Sequence, residues 1–154
     1  AVSAGLELPE LGPRAQQMIN EKIRGVNSST TNPVDLGAFG FDLNVMLHTM
    51  QAMDQDDNID VIIPYFDVEY LIQAEMILQI KNSADTIMKM AEGIRKPVIP
   101  VLISFLENNL EAERIRIDTF KSLRKAGFPV YGTIQEAVYV IETYFEWVEK
   151  RKSR

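Results

Sequence analysis

With 154 residues, 46% apolar and 25% charged, the chain is about one domain long and carries enough apolar side chain for a core. Its net charge of −6 sets it against nucleic acid and anionic membranes unless a local patch reverses the sign, and the basic end "KRKSR" reads as a solvated tail. Having no cysteine excludes disulfides and thiol catalysis, and the expected setting is a reducing cytoplasm.

In chain order, "AVSAGLELPELG" reads as the end of a helix running into a strand at 6–11. A doubly wound domain has a strand and most of a helix before that point, so the chain is expected to begin inside its domain. "RAQQMINEKIRG" has helical composition, and the hydroxyl-rich "NSSTTNPVDLGAFGF" (27–41) follows it. Asn27-Ser28-Ser29 fits a glycosylation sequon, read as coincidence in a cysteine-free chain. Leu43, Met46, Leu47, Met50 and Met53 then fall on one helical face. "DVIIPYF" (60–66) and "PVIPVLIS" (97–104) are short, β-rich runs expected as buried strands, and "FPVYG" (128–132) is a weaker run of the same kind. Between the first two lies a long helical stretch, 68–95, with Asn82 or Ser83 as an internal cap. The segment 109–127 is expected to bury Leu110, Ile117, Phe120 and Leu123 and to end at Gly127. In "TIQE", Thr133 and Glu136 fit a capping box opening a last helix, which buries Ala137, Val138, Ile141, Tyr144, Phe145 and Val148. Strand and helix alternate, which predicts an α/β fold, a parallel sheet covered on both faces.

The runs that carry chemistry are few. "SSTTN" would hold a phosphate only if it left a strand and entered a helix, where amides converge. Here it joins helix to helix, and a polar connector is the expectation. Gly37 and Gly40 make no dinucleotide fingerprint, and no Walker A sequence occurs. A receiver domain would use Asp67 and Ser104 at the ends of the central strands, but it also needs a Lys after the last strand, and "FPVYGT" has none. His48, the single histidine, lies nearly opposite the Leu43/Leu47/Met50 face and reads as a surface residue. With no second histidine and no thiolate, zinc is not expected. Asp56-Asp57 reads as a solvated pair in a turn, and the methionines as core filler.

Several segments follow in a telling order: "NPVDLG" (32–37), a helix, "DDNIDVIIPYF" (56–66), a helix, "KPVIPVLIS" (96–104) and "KAGFPVYGTIQEAVYVI" (125–141). In this the chain resembles the flavodoxin-like ligase domain of the NDP-forming acyl-CoA synthetases, including the C-terminal domain of the succinyl-CoA synthetase beta subunit. "LENNLEAERI" (106–115) is similar to the Asn-containing turn and helix before that family's last strand. The resemblance implies a flavodoxin-like three-layer parallel sheet, here without its first strand and most of its first helix. It implies one domain, 1–154, of an enzyme converting acid, CoA and nucleoside triphosphate to acyl-CoA, nucleoside diphosphate and phosphate. That reaction passes through an acyl phosphate and a phosphohistidine carried on another domain. The implied partners are CoA-binding, phosphohistidine-bearing and ATP-grasp domains, with neither nucleic acid nor membrane. CoA and a Mg-nucleotide belong to the complete enzyme, while the fragment alone is expected to bind no cofactor and to be inactive. No residue here is implied to be catalytic, and His48 does not match the family's phosphohistidine setting. Asn32, Pro33, Asp35, Gly37 and Asn108 are the implied wall or substrate-binding residues, with "NPVDL" as a loop at the carboxyl end of the sheet. A plain turn, in which Pro33 fixes the chain and Asp35 caps the following helix, is the other reading of that loop. A non-enzymatic regulatory or receiver-like module of the same fold class is the competing function.

Overall fold

A computed structural model of the chain describes residues 6–23, 27–67, 83–103 and 109–152. Among these are five α-helices: α1 (Pro13–Asn20), α2 (Leu43–Asp54), α3 (Ser83–Ala91), α4 (Leu110–Lys125) and α5 (Ile134–Lys152). A 3-10 turn covers Gly37–Phe41, and two strands, β1 (Tyr65–Asp67) and β2 (Val101–Ile103), pair in parallel.

The expected strands at 60–66 and 97–104 exist but pair over shorter lengths. Ile62 bridges Val98 in the same parallel sense before the continuous ladder begins at Tyr65 and Val101. Pro64, Pro97 and Pro100 stand in these runs, and a proline has no N–H to give to a ladder. The carbonyls of Pro64 and Pro100 still accept, from Val101 and Tyr131 respectively. On the other side of β2, Val101 bridges Tyr131 in parallel, so "FPVYG" lies beside β2 as an isolated bridge. β2 therefore stands between the other two segments. Residues 6–11 form no strand. Pro9 interrupts any ladder there, and two nearby carbonyls are taken by side chains instead: Asn32 Nδ2 donates to Pro9 O and Asn58 Nδ2 to Glu10 O.

Side chains of β2 alternate in a strand's period of two. Ile99, Val101 and Ile103 pack with Ala137 and Ile141 of α5, together with Leu6, Val61 and Ile63. Leu102, pointing the other way, packs with Ile87 of α3, Leu123 of α4 and Val130. Val98 and Ile62, on that same side, join Leu11, Ala15 and Ile19 of α1 and Val45, Met50 and Ala52 of α2. Helices thus cover both sides of the strand pair. Burying each large aliphatic side chain here contributes about 1.5–3 kcal/mol.

The helix ends follow local chemistry. Asp42 caps α2 by accepting from Asn44 N, and Asn109 caps α4 by accepting from Ala112 N. Thr133 accepts from Glu136 N while Glu136 accepts from Gly132 N, so the capping-box pair is formed, displaced by one amide. Gly127, at φ +91°, ends α4 in the left-handed conformation that glycine adopts freely.

Several burial expectations need correction. On α4 the buried residues are Ala112, Thr119 and Leu123, with Phe120 half-buried, while Leu110 is 84% exposed and Ile117 is also exposed. The cap at Asn109 makes Leu110 the first helical residue, and it points away from the strands. On α5, Ala137, Val138 and Ile141 are buried as expected and Val148 is half-buried, but Tyr144 and Phe145 are exposed. The helix outruns the layer it packs on. Of the long helical stretch at 68–95, residues 83–95 lie within the described residues, where α3 ends at Ala91 and the chain turns through Gly93 at φ +81° instead of staying helical to 95, and Asn82 lies outside them.

Candidate functional site

The loop singled out in the sequence is a small closed structure. Ser29 and Asp35 exchange both backbone hydrogen bonds, Ser29 N to Asp35 O at 2.7 Å and Asp35 N to Ser29 O at 2.9 Å. Inside that closure the Ser29 and Thr31 hydroxyls lie 2.6 Å apart, Thr31 N donates to Ser29 Oγ, and the Asn32–Pro33 peptide is cis. Asp35 Oδ1 accepts from Gly37 N at 2.8 Å. It steadies the entry to the 3-10 turn rather than capping α2, which Asp42 does. Gly37 has φ +51°, and a Cβ there would collide with the Asn27 carbonyl oxygen.

Of the five implied site residues, four therefore sit together in this loop, and Asn108 lies outside the described residues. The loop's ties lead to one place. Asn32 holds Pro9, the next carbonyl, Glu10 O, holds Asn58, and Asn58 belongs to the turn that feeds β1. Val34 and Leu36 pack onto the group containing Leu11, Ile59 and Ile62. These contacts set the loop beside the turns that enter the strands, whereas the resemblance put it beyond their carboxyl ends.

A second constellation went unrecognised in the sequence. Asp54, the last residue of α2, is 6% exposed and accepts from Arg95 N (2.9 Å), Lys96 N (3.0 Å) and Arg95 Nε (3.1 Å). Arg95 also donates to the Asp54 carbonyl, and Lys96 Nζ donates to the carbonyls of Met53 and Asp56. Burial pushes the Asp54 carboxyl up, but the Lys96 amide and the Arg95 side chain, amide and charge together hold it below the ordinary carboxylate range. Asp56, expected in solvent, is 9% exposed and accepts from Gly12 N at 2.6 Å and Asn58 N at 3.1 Å. The two carboxylates join the end of α2, the start of α1 and the loop before β2. Every acceptor is matched by a donor on the chain itself, so the arrangement is a structural clasp. The sequence signal was the spacing Asp-x-Asp beside a helix end, with Arg-Lys placed just before the second strand.

His48 also needs correction. It is half-buried, and its Nε2 donates to the Met18 carbonyl at 2.9 Å, which requires the proton on Nε2. Val45, Thr49 and Ala52 are buried on one side of α2, while Met46, Leu47 and Met53 pack partly on another. The helix has neighbours on more than one side, which a single apolar stripe does not reveal.

At the other ends of the strands, Asp67 closes β1 beside Tyr65. Burial first, and then the Asp67 charge, push the Tyr65 phenol up. Near the start of α5, Arg116 pairs with Glu113 at 2.6 Å and lies over the Phe120 ring, with Arg124 also over that ring. Among the described residues no three His, Asp or Glu side chains group to hold a metal ion, and no helix is long and apolar enough to cross a membrane. No family model, curated protein or solved structure matches the chain.

Proposed function

We propose that the chain is a non-autonomous, flavodoxin-like domain of an NDP-forming acyl-CoA synthetase, three-layered in its complete form and working in the cytoplasm. One observation supports this reading above the others. The segments carrying the resemblance, 56–66, 96–104 and 125–141, contain the three runs that stand side by side in parallel, with β2 between Tyr65 and Tyr131 and helices on both sides. That is the neighbour order a doubly wound domain gives its last strands. In this reading Asn32, Pro33, Asp35 and Gly37 act by shaping the loop that holds the domain's entry turns, and Asn108 remains a substrate-side candidate. The phosphohistidine, the CoA site and the Mg-nucleotide site belong to companion CoA-binding, histidine-bearing and ATP-grasp domains.

The experiment is reconstitution. The chain alone, given acid, CoA and ATP or GTP, is expected to form no acyl-CoA and to bind CoA weakly or not at all. Joined to companion domains of the three kinds, it is expected to restore thioester formation and histidine phosphorylation. Companion domains that turn over equally well without it would overturn the reading. Phosphorylation of Asp67 by a small phosphodonor such as acetyl phosphate would instead establish the receiver-like alternative.

A further inference from the structure

We draw no further inference here: the strongest candidate, the exposed aromatic patch of Tyr144, Phe145 and Trp147 on the end of α5 past Ile141, is flanked by Glu142 and Glu149 as well as by Arg151 and Lys152, and nothing in the structure shows what covers it.

Discussion

Asp54 and Arg95 stand 41 residues apart in the chain and are joined by three hydrogen bonds, two onto the Asp54 carboxylate and one onto its carbonyl. The bond to the Arg95 amide, with that from the Lys96 amide, fixes where the chain turns into β2. Replacing Asp54 by Ala strands both amides in a closed site. The expected loss is about 3 kcal/mol, since each unsatisfied buried donor costs roughly 1–3 kcal/mol. Arg95→Ala removes a side chain that is 76% exposed and is expected to cost less than about 1 kcal/mol. Urea unfolding of the two variants measures the contrast, and equal losses would show that the guanidinium rather than the amides carries the clasp.

The same carboxylate sets an acid limit. A carboxyl held below its unfolded-state pKa adds stability above that value and loses it as pH falls through the folded-state value. Asp54 is held low, as is Glu113, by the Arg116 hydrogen bond against the opposing effect of burial, with the Arg116 charge helping. The Glu113 side chain is 40% exposed, so its share is smaller. Thermal stability is therefore expected to hold from neutral pH down to about pH 5 and to fall below about pH 4. Asp54→Asn is expected to lower the plateau and flatten the fall, as a series of thermal melts across that range will show.

Gly37 tests the loop. At φ +51° and against the Asn27 carbonyl, Gly37→Ala meets both backbone strain and a clash, and is expected to cost about 2 kcal/mol or more. Gly93 has φ +81° with open space around it, so Gly93→Ala carries the strain alone, about 1 kcal/mol. Melting temperatures of the pair separate the clash from the strain, and equal shifts would mean the loop yields.

What the sequence made legible was what is decided within one or two turns of chain. Asn109 is the residue just before α4, Thr133 and Glu136 cap α5, and Gly127 closes α4, each through a local hydrogen bond or dihedral. The apolar runs at 60–66 and 97–104 named the two strands, while 128–132 became an isolated bridge and 6–11 no strand at all, and prolines at 64, 97 and 100 shortened the pairing in a way that composition does not show. Long-range satisfaction was invisible. The spacing Asp54-x-Asp56 and the pair Arg95-Lys96 stand in the sequence, but no local rule says that they and Gly12 will close on one another, nor that His48 will meet the Met18 carbonyl. Periodicity told which residues of α5 share a face, but not that the strands beneath stop supporting it after Ile141.

His48 is held to α1 by one hydrogen bond, so His48→Ala is expected to lower stability by about 1 kcal/mol. In a reconstituted ligase its turnover at temperatures well below the melt should match the parent. A loss of phosphoenzyme in the folded variant would instead make His48 a phosphoryl carrier.

The place of β2 between two partners also shapes how the chain is made. Its amides alternate, Val101 N reaching back to Pro64 O and Leu102 N reaching forward to Tyr131 O. On the ribosome the first bond can close as soon as Val101 emerges, but the second waits until α4 and the following turn have been translated. During that interval Leu102 presents an open strand edge, the kind of surface on which nascent chains pair wrongly. The strongly charged α4, with Glu111, Glu113, Arg114, Arg116, Asp118 and Lys121 in sequence, is the segment that accompanies that edge through its exposed period.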